Sequence, residues 1–140
     1  YVLNPRTGEL TCLVRDFAQP NGLCFSPDER FLFVNDSERY HIRRFRVSAA
    51  GSVSDGEVWA RTLGTRPGSP DGMKVDVLSN VYCCAQGGIQ VFSPTGEWLG
   101  TLNVPEEAGN LCFGGEGGTT IFITASSSLY TYEGTVSGAR

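Results

Sequence analysis

The chain has 140 residues and a formal charge of −4 at pH 7, from 11 Lys+Arg against 15 Asp+Glu. That balance argues against nucleic acid or an anionic membrane as a partner. Hydrophobic residues at 40% and charged residues at 19% exclude a disordered tail, and the length suits one domain with a real core. No apolar run approaches the roughly 20 residues of a helical membrane span. Nor does a basic-then-apolar leader open the chain, and it starts at Tyr1 rather than Met, so a processed product or a fragment is expected.

The first thirteen residues hold two strands that close a repeating unit. Leu23-Cys24-Phe25 follows, then the turn Ser26-Pro27-Asp28-Glu29-Arg30, then Phe31-Leu32-Phe33-Val34. Next come Ile42 to Val47, a Gly/Ser-rich loop from Ser48 to Asp55, and Glu57-Val58-Trp59-Ala60. Each run is short, rich in aromatic and β-branched residues, and bounded by turn formers, while no stretch holds a helical apolar period. The expectation is an all-β chain. Arg39, Arg43, Arg44 and Arg46 read as the solvated outer face of a strand, and His41, the one histidine, as a surface residue. Gly114 to Gly118 reads as a hairpin loop, since it lacks the trailing Gly-Lys-Ser/Thr of a phosphate cradle.

The cysteines are Cys12, Cys24, Cys83, Cys84 and Cys112. The odd count, the absence of a C-x-x-C pair and the single histidine leave no zinc knuckle. Cys83 and Cys84 would point to opposite faces of a strand. All five are read as reduced packing residues, which points to a cytoplasmic setting.

An internal repeat organises these strands. Asn21-Gly22-Leu23-Cys24-Phe25 corresponds to Asp71-Gly72-Met73-Lys74-Val75 and, more loosely, to Gly109-Asn110-Leu111-Cys112-Phe113. Second strands follow at Phe31 to Val34, Asn80 to Cys83 and Ile121 to Thr124, and third strands at Ile42 to Val47, Gly88 to Phe92 and Ser128 to Tyr132. The N-terminal thirteen residues mirror Val91 to Leu102, so the chain opens on the last two strands of a unit. This is the pattern of four-stranded propeller blades. The expected single domain is a partial β-propeller: 1–14 ends one blade, 20–62 and 70–103 are blades, and 109–132 is an incomplete one. About three blades do not close a ring. The chain is expected to be half of something longer, or to assemble with copies.

Pro20-Asn21-Gly22-Leu23 with Phe25-Ser26-Pro27-Asp28-Glu29, Val34-Asn35-Asp36-Ser37, Pro70-Asp71-Gly72-Met73-Lys74-Val75-Asp76, Gly87 to Phe92, and Asn110 to Gly115 with Ile121 to Thr124 form an ordered set. That set resembles the senescence marker protein (regucalcin)/gluconolactonase family of six-bladed propellers, over roughly its C-terminal half. The resemblance implies metal-dependent hydrolysis of a small, sugar-type lactone. It places Asn21 and Asp71 as ligands of a divalent cation in the central channel. Calcium is the first candidate, with Mg²⁺, Mn²⁺, Zn²⁺ or Fe²⁺ as alternatives. An amide oxygen and a carboxylate are hard donors of the right kind, and each stands just before an innermost strand. The cation would polarise the lactone carbonyl, and Asp71 would also be the catalytic base toward water. Asn-Gly and Asp-Gly are also ordinary turn dipeptides.

Antiparallel pairing brings the ends of the second strands to the same face, so Asp36, Gln86 and Thr124 to Ser126 are expected around the channel mouth. Asp36 reads either as a group near the metal or as a cap on the following turn. Asn110 is a further candidate with a register ambiguous by one residue. The resemblance also marks departures. The family's third ligand, a glutamate near the N-terminus, and its upstream Arg/Asn substrate motif have no counterpart here, so the site is expected to be incomplete. The competing reading is a non-catalytic propeller fragment acting as a binding or interaction module. A homodimer completing a six-bladed ring is one assembly the strand count permits.

Overall fold

A computed structural model describes residues 1–139. It is all-β, with thirteen strands in four antiparallel sheets and one 3₁₀ turn among the described residues. The first sheet pairs β1 (Val2–Leu3) with β2 (Leu10–Thr11). The second is β3 (Pro20–Phe25), β4 (Phe31–Asp36), β5 (His41–Val47) and β6 (Val53–Arg61), adjacent in that order. The third runs β7 (Met73–Val75), β8 (Val81–Ala85), β9 (Gly88–Phe92) and β10 (Trp98–Asn103). The fourth has β11 (Ala108–Gly114), β12 (Thr120–Ala125) and β13 (Leu129–Glu133). Two, four, four and three strands are what the repeat predicts. The expected loop before Trp59 is shorter than read, because β6 already begins at Val53 and pairs there with Val47.

The turns are built from the residues that mark them in the sequence. Asp28 accepts from the Ser26 hydroxyl at 2.6 Å and from the Arg30 N–H at 3.2 Å, closing the β3–β4 hairpin. In the next blade the fully buried Asp76 does the same for β7–β8, accepting from the Leu78 and Asn80 amides at 2.9 and 2.8 Å. A short side-chain acceptor that ties the backbone two residues on is the physical content of an Asp at a turn.

The blades stack face to face, and the stacking is the core. Phe33, Ile42 and Ala60 of the second sheet meet Met73, Val81, Cys83 and Phe92 of the third. The Trp59 ring lies between them, with centroids 4.7 Å from Phe33 and 6.2 Å from Phe92. On the other side, Cys84 and Ile89 meet Leu111, Ile121 and Ile123 of the fourth sheet. Alternation along β8 sends Val81 and Cys83 one way and Tyr82 and Cys84 the other. Each fully buried aliphatic or aromatic side chain contributes about 1.5–3 kcal/mol relative to exposure. The middle blade is therefore anchored on both faces, while each outer blade keeps one open face. There Leu23 and Phe25 are 57% and 44% exposed, and Leu129 is 68% exposed.

All five thiols are free. Burial pushes Cys24 and Cys83 up to about 12 and moves Cys84 further in the same direction. Alkylation of the folded protein at about pH 8 is therefore expected to label exposed Cys112 and to spare Cys83 and Cys84. All five should react once the protein is denatured without reductant, and a fixed deficit of two would expose a disulfide.

Two readings are corrected. His41 is buried, 6% exposed, and its Nε2 has no hydrogen-bond partner among the described residues; burial lowers its pKa. The arginines do not form one solvated face. Arg43 lies over the rings of Phe17 and Phe45, at 4.8 and 5.0 Å, and pairs with Asp16 at 2.6 Å. Arg44, whose side chain alternates to the other face, pairs with Glu57 and stacks on Phe31.

Candidate functional site

The innermost strands β3, β7 and β11 lie side by side, and their N-terminal ends converge. Pro20 pairs with Asp36 but Leu23 pairs with Val34, so β3 carries one extra residue at Asn21-Gly22. β11 is bulged in the same place, between Ala108 and Asn110. A bulge re-aims the side chain it contains, and here it turns Asn21 toward the neighbouring blade.

Blade-to-blade approach at this end is very close. A Cβ at Gly22 would lie 2.0 Å from the Asp71 carbonyl oxygen, and one at Gly72 would lie 2.3 Å from Asn110 Oδ1. Only glycine permits either contact, so the Asn-Gly and Asp-Gly dipeptides are packing requirements as well as turn formers. Two buried side chains complete the join. Asn35 accepts from the Gly22 N–H at 3.0 Å and donates through Nδ2 to the Asp71 carbonyl at 2.5 Å. Ser37 accepts from Asn21 Nδ2 at 3.2 Å and donates to the Pro70 carbonyl. Neither residue was singled out from the sequence. The signal available was their place, at the end of a second strand that must end beside the first.

Asp71 is half-buried, and burial raises its pKa; the Gly72 N–H and the Asn21 side chain pull the other way. The Asn21 amide nitrogen donates to Ser37 Oγ at 3.2 Å. Asn21 itself is exposed. An amide oxygen and a carboxylate that burial disfavours as an anion form a donor pair of the kind a hard divalent cation takes. Among the described residues, no three His, Cys, Asp or Glu side chains gather to hold a metal.

The other candidates lie close by with different engagements. Asp36 is fully buried and saturated: it accepts from Ala18 N at 2.8 Å, Gln19 N at 3.1 Å and Arg39 N at 3.2 Å, with the Arg39 guanidinium at 3.3 Å. Burial raises its pKa, but these N–H bonds outweigh it and the net shift is downward. The carboxylate caps its turn and straps the 12–19 segment to β4. The Gln86 side-chain oxygen is buried without a partner, and its Cβ lies beneath Gly64. Asn110 folds back on its own strand, accepting from the Leu111 N–H at 2.9 Å. The position facing the Asp71 carboxylate across the gap is Gly109.

A cavity of about 310 Å³ opens beside Asp71, between Ser69, Glu107, Gly109, Thr124 and Ser126. One wall is held by Glu106, which accepts from the Ser128 hydroxyl at 2.6 Å, the Ser127 N–H at 2.8 Å and the Tyr130 hydroxyl at 3.0 Å. Those bonds pull Glu106 down to about 2. A depressed acid stabilises the fold above its ordinary pKa, and the contribution is lost as pH falls through the folded value. The Ser127 amide resonance is therefore expected to titrate with a midpoint near 2, and Glu106→Gln should abolish that step. A midpoint at the ordinary value of about 4.3 would show that the clamp does not form.

The stacked, open-ended blades, with Asn21 and Asp71 where the inner strands converge, define a partial β-propeller. The chain belongs to the SMP-30/gluconolactonase/LRE-like family, whose model matches residues 1–127. It is 37% identical over 134 residues to a gluconolactonase of Zymomonas mobilis, covering 87% of this chain and 36% of that protein. It is 29% identical over 115 residues to a 6-deoxy-6-sulfogluconolactonase of Pseudomonas putida, covering 79% of this chain and 39% of that protein. Among solved structures, a gluconolactonase of Xanthomonas campestris superposes with a TM-score of 0.79 at 30% identity, over 94% of this chain and 43% of that one. Regucalcin of Agrobacterium tumefaciens, a calcium-binding protein, shares the fold with a TM-score of 0.79 at 21% identity, over 94% of this chain and 50% of that one. The chain thus spans less than half the length of the two lactonases from Zymomonas and Xanthomonas.

Proposed function

We propose that this chain supplies the Asn21/Asp71 part of a site that hydrolyses a small sugar-type lactone with a divalent cation. The observation that carries the reading is the Asn21–Asp71 pair, an exposed amide beside a half-buried carboxylate whose pKa burial raises. The pair stands where the inner strands converge, in a chain of the gluconolactonase family. The bound cation would supply Lewis-acid polarisation of the lactone carbonyl. Asn21 contributes a neutral oxygen, held in place because its nitrogen is taken by Ser37. Asp71 would hold the cation and could accept a proton from water at a carboxylate oxygen. Asn35 and Ser37 set where these two groups stand.

Hydrolysis of glucono-1,5-lactone above the spontaneous rate, followed with a pH indicator, tests the reading. It should require added cation and vanish both in chelator and in Asp71→Ala. Hydrolysis that survives either treatment contradicts it. The open faces at Leu23/Phe25 and Leu129 are the places where further blades would seat. A two-fold pair built on them would sediment at twice the 15.1 kDa chain mass, and a species of single-chain mass at micromolar concentration rules that pair out.

A further inference from the structure

The eight residues between β2 and β3 form no strand, yet they lie across the outer face of the second sheet. Side chains of that sheet hold them there. Asp36 accepts from the Ala18 and Gln19 N–H groups at 2.8 and 3.1 Å. Arg39 donates to the Asp16 carbonyl at 2.6 Å, Arg43 pairs with the Asp16 carboxylate at 2.6 Å, and the Phe17 ring lies 6.0 Å from that of Phe45. The Ser37 N–H adds a backbone bond to the Gln19 carbonyl at 2.9 Å. The segment runs directly into Pro20-Asn21, so its attachment fixes where β3 begins.

His41 lies within this attachment. In the sheet it stands between Asp36 of β4 and Arg61 of β6, and alternation puts it on the face of Arg43 and Phe45, which the segment covers. It is 6% exposed, and its Nε2 has no partner among the described residues. A protonated imidazole carries a proton on both nitrogens, so acid would place a buried N–H and a positive charge where nothing receives them. The charged groups around it are Asp36, Arg61, Arg39 and Arg43, with Asp16 on the segment beyond Arg43. Asp36 is already filled, since it accepts three backbone N–H groups and the Arg39 guanidinium. The three arginines repel a further cation. Asp16 is held below the usual carboxylate range by its bond to Arg43, and Asp36 by its N–H bonds against the effect of burial. His41 is therefore the member of this cluster that changes charge in mildly acidic solution.

We propose that residues 12–19 are an acid-released strap: protonation of His41 frees them from β4 and β5 and loosens the Pro20-Asn21 end of β3. The strap stands apart from the lactone reading, and only its consequence for hydrolysis rests on Asn21 being a ligand. Burial, helped by the arginines and opposed by Asp36, holds the strapped imidazole below its ordinary value of 6.5. The neutral form thus stabilises the strap fully above that value, and the contribution is lost as the pH falls below it toward the folded value.

Amide hydrogen exchange of the full chain, with its single imidazole followed by NMR, tests the strap. Between about pH 7.5 and about pH 5, protection at Ala18 and Gln19 is expected to fall by about tenfold or more after correction for intrinsic exchange. Cys84, whose N–H is bonded to the Gly72 carbonyl in the middle blade, should keep its protection. The imidazole should titrate below about 6.5, at the midpoint of that loss. His41→Gln and His41→Leu, neutral at either pH, should each abolish the loss. Unchanged protection in the parent, an imidazole titrating at or above its ordinary value, or a loss that persists in either folded variant overturns the strap. Should neither variant fold, the two midpoints in the parent decide: coincidence supports the strap and separation overturns it.

Discussion

Asp71→Asn is expected to raise the melting temperature of the cation-free protein at neutral pH and to abolish the further rise that Ca²⁺ produces in the parent. Burial raises the Asp71 pKa, and its offsets are the Gly72 N–H and the Asn21 side chain. A raised acid favours the fold below its ordinary pKa, and that advantage is lost as pH rises through the folded value. At pH 7 the ionised group therefore costs stability that a neutral amide of the same shape does not. The gap between parent and variant should close below about pH 3.9, where both side chains are neutral. A cation binding only the folded state reverses the order: at ten times its dissociation constant it adds about 1.4 kcal/mol, roughly 5 °C for a chain near this size. A parent more stable than Asp71→Asn in chelator would contradict the account.

Asn35→Ala carries the second large effect. The Asn35 amide is fully buried and joins two blades through the Gly22 N–H and the Asp71 carbonyl. Removing it strands one donor and one acceptor, each costing about 1–3 kcal/mol when left unpaired. A loss of about 2–6 kcal/mol in denaturant unfolding is expected. Asn35→Asp should be no better, because it keeps the acceptor for Gly22 but replaces the donor with a charge facing a carbonyl. Both variants should also weaken cation binding more than a core truncation of equal stability cost, such as Ile121→Val or a larger deletion there. Cation affinity that simply tracks stability would reduce Asn35 to a packing residue.

The blades were legible because their signals are local and repeated. Aromatic and β-branched runs, Ser-Pro-Asp and Asn-Gly punctuation, and a recurring strand order specify sheet membership without tertiary information. The family match over residues 1–127 agrees with the resemblance those motifs carry. The polar residues were less legible. His41 and Arg43 are covered in part because the segment before β3 folds over that face, bringing Phe17 to 6.0 Å from Phe45 and Asp16 to Arg43. Nothing in the spacing of β5 announces that cover. Asp36 shows the same limit: its acceptors are filled by amides 17 and 18 residues upstream. Asn35 and Ser37 belong to a recognisable motif, but the bonds they make to Asp71 and Pro70 exist only between blades. The bulges at Asn21-Gly22 and at Gly109 shift register by one residue, which is why Asn110 could not be placed from the repeat alone.

Isothermal titration of the cation into the parent, Asn21→Ala, Asp71→Ala and the double variant tests the joint site most directly. Two protein oxygens fall short of the six to eight that Ca²⁺ takes, so the parent is expected to bind one ion with a dissociation constant of about 10⁻⁴–10⁻³ M. Each single variant should lose about tenfold or more, and the double variant less than the sum of the two, because the groups share one ion. Unchanged, stoichiometric binding in Asp71→Ala would contradict the account.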